Sequence, residues 1–251
     1  MKVSIITVVY NNKESIEEAI LSVASQTHTA IEHIIVDGGS TDGTLDIIAK
    51  HADKLARVIS EPDKGIYDAM NKGLRCATGD IIGLLNSDDK YAHKDVIDRV
   101  VRRLSSPEIE AVFADAAFVA PGRPDEIVRR YSSRYFRPSR IAWGWMPAHP
   151  TLFLKREVYG RYGFFKPDFK IAGDYEFVAR IFWNTGIRYI YMPEILVKMK
   201  TGGVSTSGWA GTVLLNREVL RACRENGIRT NMVKICSKYF LKIFEFIDAK
   251  T

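Results

Sequence analysis

At 251 residues and 28.4 kDa, with 46% hydrophobic and 26% charged residues, the chain can bury a real core, as one domain with an appendage or as two small domains. No apolar run approaches the ~18 residues that span a bilayer, and three cysteines (Cys76, Cys223, Cys236) without C-x-x-C spacing argue against disulfides and a zinc site and for a reducing cytoplasm. The net charge of +6 is uneven: residues 1–90 carry 9 Lys+Arg against 14 Asp+Glu (−5), residues 91–215 carry 19 against 12 (+7), and residues 216–251 carry 8 against 4 (+4).

An acidic first third suits cation chemistry, and a basic remainder suits phosphates or a membrane surface. A pI near 9.1 is the one hint of nucleic acid, and the acidic first third speaks against it.

The start, MKVSIITVVYNN, reads as a core strand over Val3–Val9 and not as a signal peptide, because it has no small-residue cleavage site. Asn12 is placed to cap a helix whose first turns hold Glu14, Glu17 and Glu18. Ile16, Ala19, Ile20, Val23 and Ala24 then lie on one helical face. A strand over His33–Val36 ends in DGGSTDG, and Leu45, Ile48, Ala49 and Ala52 give a second helical face. Arg57–Ser60 is a third strand, Ile66–Ala77 a helix, and Asp80–Leu85 a fourth strand. Alternating strands and helices with short connections predict a parallel sheet covered on both faces.

Ligands in such sheets bind outside the carboxyl ends of the strands. The residues at those ends are Tyr10-Asn11-Asn12, Asp37-Gly38-Gly39-Ser40, Glu61-Pro62-Asp63-Lys64 and Asn86-Ser87-Asp88-Asp89, all polar and mostly acidic. Beyond residue 90 the pattern loosens. A helix is expected on Val96, Ile97, Val100, Val101 and Leu104, and a strand over Ala111–Val119. Residues 123–150, rich in Pro, Arg and aromatics, show little periodicity. Thr151–Leu154 and Ile187–Tyr191 read as strands and Asp174–Trp183 as a helix. A glycine-rich loop, 200–208, leads to helices near 209–226 and 231–247.

Several motifs admit two readings. VDGGSTDGT (36–44) is a turn capped by Thr41 or Asp42, or a phosphate loop, although neither G-x-G-x-x-G nor G-x-x-x-x-G-K-[ST] is present. In LLNSDD, Asp88 and Asp89 suit a hard divalent cation whose remaining shell comes from water and substrate phosphates; the plainer reading is a helix cap at Asp88. Asp174 in AGDYEF is an N-cap or a general base. His149 in AHPTLF is a packed histidine or a ligand-facing one.

The order SIITVVYNN, IIVDGGSTDGT, DKGIYDAMNKGL-x₄-GDIIGLLNSDD, HPTLFLKREVY and GDYEF resembles family 2 glycosyltransferases, inverting enzymes of the bacterial exopolysaccharide and colanic-acid type. The resemblance covers roughly residues 1–205. It implies a GT-A fold, a Rossmann-like α/β arrangement with a mostly parallel central sheet, flanking helices and C-terminal helices. It divides the chain into a domain at 1–205, with a nucleotide-binding half at 1–90 and an acceptor-side half at 91–205, and a helical tail at 206–251.

By the same resemblance, Asp37 recognises the nucleotide base with Tyr10 and Asn11 beside it, and Lys64 completes that site. Asp88 and Asp89 match the carboxylates of the D-x-D motif and hold Mg²⁺ or Mn²⁺; Asn86 stands where the family more often has an acid. His149 lies near the diphosphate and acceptor side, and Asp174 matches the catalytic base. The implied reaction transfers one sugar from a nucleotide-diphosphate sugar, of the UDP type, to a glycan or lipid-linked acceptor. The Q-x-x-R-W motif of processive synthases is absent, Gln26 being the only glutamine.

Rival readings are a catalytically silent nucleotide-sugar or glycan-binding module and a sugar nucleotidyltransferase. The latter usually has a Gly/Arg-rich loop where this chain reads VVYNNKES. In the tail, Met232, Val233, Ile235, Cys236, Tyr239, Phe240, Ile243, Phe244 and Ile247 form an apolar face, with Lys234, Lys238 and Lys242 on another. That helix either packs on its own domain or in a homodimer, or rests on the inner face of the cell membrane.

Overall fold

The structure is a computed structural model that describes residues 1–120, 122–200 and 208–245. Strands β1 (Val3–Val9), β2 (Ile31–Asp37), β3 (Arg57–Ser60) and β4 (Ile81–Leu84) alternate with helices α1 (Ile16–Ala24), α2 (Thr44–Lys50) and α3 (Ile66–Cys76). They pair in parallel in the order β3-β2-β1-β4, with Val3 opposite Ile31 on one side and Ile81 on the other. Every residue of β1 is buried, the signature of a strand covered on both faces. Ile6 and Val8 point to the face covered by α3. Val3 and Ile5 point to the opposite face with α4 (Val96–Leu104), and Val9 meets Ile16 and Ile20 of α1 there. Contact with α3 is close: a Cβ added to Gly73 would lie 2.4 Å from the Ile6 side chain.

The second half of the sheet is mixed. β8 (Phe153–Lys155) runs antiparallel to β4 and to β6 (Ala111–Ala120). β9 (Tyr189–Lys200) is parallel to β6, and the short β5 (Lys90–Tyr91) is antiparallel to β9. β7 (Arg123–Tyr131) forms a hairpin with β6, off the main path of this nine-stranded sheet. The expected mostly parallel arrangement therefore describes the first four strands, and antiparallel neighbours complete the α/β sheet.

Several elements differ from the sequence reading. The arginine-rich stretch after residue 122 hides a strand, β7, because two exposed faces at a sheet edge leave no apolar alternation. β9 runs nine residues past Tyr191. Pro193 and Glu194 break its pattern, and the ladder skips them, pairing Met192 with Ala114 and Ile195 with Asp115 across a bulge. Helix α5 (Arg156–Tyr162) follows β8 directly, and α6 spans Gly173–Phe182. Helices α7 (Gly208–Glu225) and α8 (Met232–Glu245) match the expected tail. No described helix is long and apolar enough to cross a membrane. Asn12 is not the cap of α1: the helix begins after Ser15, and Asn12 offers only its carbonyl to the amides of Ser15 and Ile16.

Two buried polar residues on β2 tie the sheet to its surroundings. Glu32 accepts hydrogen bonds from Ser4 Oγ, Gly79 N and Thr78 Oγ1 and pairs with Lys2. Burial works against its charge, but these partners bring its pKa down to about 2. His33 is buried, with Nε2 3.0 Å from Thr7 Oγ1 and no partner for Nδ1, and burial lowers its pKa to about 3.

Both groups make the fold acid-sensitive. The unfolded chain protonates His33 near pH 6.5, whereas the folded protein resists until about 3, so stability falls as pH drops through that window. Glu32 adds a second loss between its ordinary range and about 2. Urea denaturation between pH 7 and about 4.5 is expected to show a loss approaching 1.4 kcal/mol per pH unit below about 6. His33→Gln should flatten the slope, and an unchanged slope would remove His33 as its source.

Candidate active site

The loops at the carboxyl ends of the four parallel strands are bonded to one another. After β1, Asn11 adopts φ +47°, a left-handed conformation that asparagine tolerates better than most residues. Its Oδ1 accepts from Thr41 N (2.9 Å), and its own N–H donates to Ser40 Oγ (2.8 Å). Asn12 N–H donates to Thr44 Oγ1, and Lys13 N–H to Asp42 Oδ2. Asp42 also accepts from Thr44 N within the turn, but the N-cap of α2 is Gly43, so the helix cap expected at Thr41 or Asp42 is not formed there.

Asp37 organises this turn from inside. It is fully buried, and Oδ2 accepts from Gly39 N (3.0 Å), Ser40 N (3.1 Å) and Ser60 Oγ (2.8 Å). Tyr10 is two-thirds exposed and its ring lies over Gly38. The third loop comes to the same place, with an Asp63 oxygen 2.9 Å from where a Gly38 Cβ would stand. Lys72 of α3 holds that loop by pairing with Glu61 (2.9 Å) and Asp63 (2.5 Å) and donating to the Pro62 carbonyl. Lys64 is exposed, and its N–H is capped by Asp68.

The fourth loop joins through Asn12, whose Nδ2 donates to Ser87 Oγ (2.9 Å). A two-residue strand, β5, follows Asp88 and Asp89, so the helix cap considered for Asp88 does not exist. The two carboxylates are not equivalent. Asp88 is partly exposed; Asp89 is 3% exposed, and its Oδ2 accepts from Asn86 Nδ2 at 2.8 Å. Burial, then the neighbouring charge of Asp88, push the Asp89 carboxyl well above the usual carboxylate range, against the opposing pull of Asn86 and Lys200.

Lys200, at the end of β9, reaches Ser15 Oγ (3.0 Å) and Glu18 Oε1 (3.2 Å). Sequence reading missed it because the second half of β9 was not recognised. A hard divalent cation takes carboxylate oxygens, and of this pair the partly exposed Asp88 is the one open to it, Asp89 being buried against Asn86. No cluster of three or more ligating side chains occurs among the described residues.

Asp174 lies in the first turn of α6, partly buried. Its Oδ1 accepts from Tyr175 N (2.7 Å) and Tyr67 OH (3.3 Å), while Oδ2 has no hydrogen-bond partner among the described residues. Tyr67 shares its one hydroxyl proton with the Ile171 carbonyl (2.6 Å), the nearer acceptor, and its ring packs against Gly173, where any Cβ would come within 2.7 Å of it. His149 is in the same group: its ring meets Phe165, which in turn stacks on Tyr67. Burial lowers the His149 pKa, and the charge of Asp174 opposes that shift.

Sequence reasoning also missed Glu218 of α7. It is buried, and its carboxylate accepts from the backbone amides of Lys170, Ile171 and Ala172 at 2.8–2.9 Å. That one side chain holds the segment entering α6, and a lone Glu in a helical pattern gives no sign of it. Two groups thus emerge, the four strand-end loops and the Asp174–Tyr67–His149 set. The chain from Lys64 to Tyr67 connects them, and no hydrogen bond or ion pair joins Asp88 or Asp89 to Asp174 among the described residues. The glycine-rich loop at 201–207 lies outside the described residues.

The chain is similar to known proteins in sequence and in fold. The sequence profile of Glycosyl transferase family 2 matches residues 4–166. A PGL/p-HBAD biosynthesis glycosyltransferase of Mycobacterium bovis is 29% identical over 201 residues, covering 74% of this chain and 72% of that protein. An uncharacterized glycosyltransferase of Mycobacterium tuberculosis is 33% identical over 182 residues, covering 71% and 68%.

Among solved structures, S. aureus TarS 1-349 in complex with UDP-GlcNAc superposes with a TM-score of 0.69 at 20% identity, over 88% of this chain and 66% of that one. The mannosyltransferase PcManGT of Pyrobaculum calidifontis, in complex with GDP-Man and Mn²⁺, gives 0.66 at 24% identity over 89% and 63%. The chain spans 39% of the longer TarS chain. These likenesses show the GT-A fold. With the profile match covering most of its length, the chain belongs to glycosyltransferase family 2.

Proposed function

We propose that the chain moves a single sugar from a nucleotide-diphosphate sugar, of the UDP class, to a hydroxyl of a glycan or lipid-linked saccharide in cell-surface polysaccharide assembly, with inversion at the anomeric carbon. The observation that carries this reading is the bonding of four polar strand-end loops into one cradle, with a carboxylate that keeps one oxygen free on the adjoining helix. TarS and PcManGT, solved with UDP-GlcNAc and with GDP-Man and Mn²⁺, support the donor class.

In this mechanism the exposed Tyr10 ring and the Asn11 turn line the nucleotide pocket. Asp37 shapes that pocket from behind, since its Oδ2 is engaged by Gly39, Ser40 and Ser60. Lys64 and His149 face the diphosphate. Asp88, with Asp89 and Asn86 behind it, would hold Mg²⁺ or Mn²⁺, which when bound neutralises charge on the diphosphate leaving group.

Asp174 acts as general base. Tyr67 and the Tyr175 amide fix Oδ1, leaving Oδ2 to take the acceptor's proton. The acceptor oxygen bonds to the anomeric carbon as the bond to the diphosphate oxygen breaks, and the electron pair leaves with the diphosphate. One displacement through an oxocarbenium-like state inverts the configuration.

Positioned base catalysis contributes ~10²–10⁴-fold, so Asp174→Asn should lower turnover on that scale while the donor's thermal shift survives; near-wild-type turnover would remove the role. A thermal-shift panel of nucleotide sugars should single out UDP-sugars, with a shift that EDTA abolishes and Mn²⁺ restores; a full shift in chelator would argue against the cation. Glu218→Ala strips three buried amides of their acceptor at on the order of 3 kcal/mol or more, and should lower Tm by several degrees. Thermal unfolding that matches the wild type would deny Glu218 its anchoring role.

A further inference from the structure

We propose that an exposed belt of arginines and aromatic rings, running from Arg134 to Trp143 and on to the start of α8, docks the protein on an anionic phospholipid surface. No acidic residue occurs between Glu126 and Glu157, and Arg134, Arg137 and Arg140 within that span are all exposed. None of the three forms an ion pair among the described residues. The segment is firmly mounted, with Phe136 and Ile141 turned into the core at 3% and 0% exposure. What faces outward is Tyr135, 58% exposed, and Trp143, 44% exposed.

The belt is continuous. The Arg134 and Arg140 guanidinium groups lie 5.7 and 5.8 Å from the Tyr135 ring centre. Residues 138–143 form a 3₁₀ turn, in which side chains three apart eclipse, so Arg140 and Trp143 share a side. Lys234 of α8 sits 5.4 Å from the Trp143 ring, and its neighbour Val233 is 80% exposed. Cations interleaved with rings that are apolar at the face and polar at the edge match the headgroup layer of a bilayer. Arginines there gain from anionic lipid, and aromatics settle at the interface.

The belt takes in the start of α8, where Val233 and Lys234 belong to the two helix faces read from sequence. Further along α8, Ile235 and Lys238 are 0% and 5% exposed, with Lys238 packed beside Gly144, so these two side chains do not face solvent. The side chains of 240–247 lie outside the described residues. The segment that carries the belt packs against α6: Tyr175, next to Asp174 in sequence, donates its hydroxyl to the Ile141 carbonyl. If the proposed reaction holds, that bilayer would also be the source of a lipid-linked acceptor; the docking itself does not depend on that reading.

The test is co-sedimentation of the full chain with vesicles of phosphatidylcholine alone or with ~30% phosphatidylglycerol, which supplies the negative surface potential. The wild type is expected to pellet with the anionic vesicles only. Replacing Arg134, Arg137 and Arg140 together by Ala should weaken binding roughly 100-fold, about fivefold per charge, and Tyr135→Ala with Trp143→Ala roughly 10-fold. Each variant should keep the wild-type circular dichroism and donor thermal shift, separating lost docking from lost folding.

Wild-type protein left in the supernatant with anionic vesicles, or a triple variant that binds as the wild type does, would overturn the proposal. So would concentration-dependent dimers that the aromatic variant dissolves, since the belt would then belong to a second copy. Vesicle binding without any nucleotide-sugar shift would keep the docking surface and sink the transfer reaction.

Discussion

The hydrogen bonds between strand-end loops are the constraint on which the rest of the molecule depends. Parallel strands deliver their carboxyl ends to one edge, but loops there have no ladder to hold them. Here Asn11 and Asn12 tie the first loop to the second, and Asn12 reaches the fourth through Ser87. Lys72 draws in the third. Most of these partners are backbone amides and short polar side chains, which order the edge with little side-chain entropy to lose. The outward side of the cradle, including the Tyr10 ring, stays available to a ligand.

Charge is arranged around the same edge. Two adjacent carboxylates close a buried strand, and the fold answers their repulsion only in part, through the Asn86 amide and the distant charge of Lys200. An acid at position 86 would leave Asp89 without that donor. The asparagine lowers the charge of the turn while orienting the buried carboxyl, so Asp88 becomes the more accessible of the pair. Lys200 also links this corner to α1 through Glu18, which joins the last part of the sheet to the first.

Much of this was legible in the chain. The parallel half could be read because β1, β2 and β4 are buried on both faces and appear as apolar runs, each closed by turn residues. Asp37 and Asp88 could be placed at strand ends for the same reason. What escaped reading had no periodic signal. β7 lies off the main path of the sheet with much of its surface exposed. β9 is interrupted by Pro193 at a bulge, which hid Lys200. Glu218 anchors backbone amides 46 to 48 residues away, and only tertiary contact reveals such a role. Asn12 looked like a helix cap and serves instead as a bridge between loops, because a short amide side chain suits either task.

The packing of Tyr67 against Gly173 has a consequence for how sites of this kind can be recognised. The ring occupies the volume where a side chain at 173 would begin, and the same tyrosine bonds the carboxylate of the following residue. Even alanine at 173 would displace the ring and, with it, the group that orients Asp174. A glycine before an aspartate on the first turn of a helix, facing a tyrosine from another helix, is therefore a steric triplet. It offers a stricter criterion for spotting an oriented carboxylate in an unfamiliar chain than the aspartate alone.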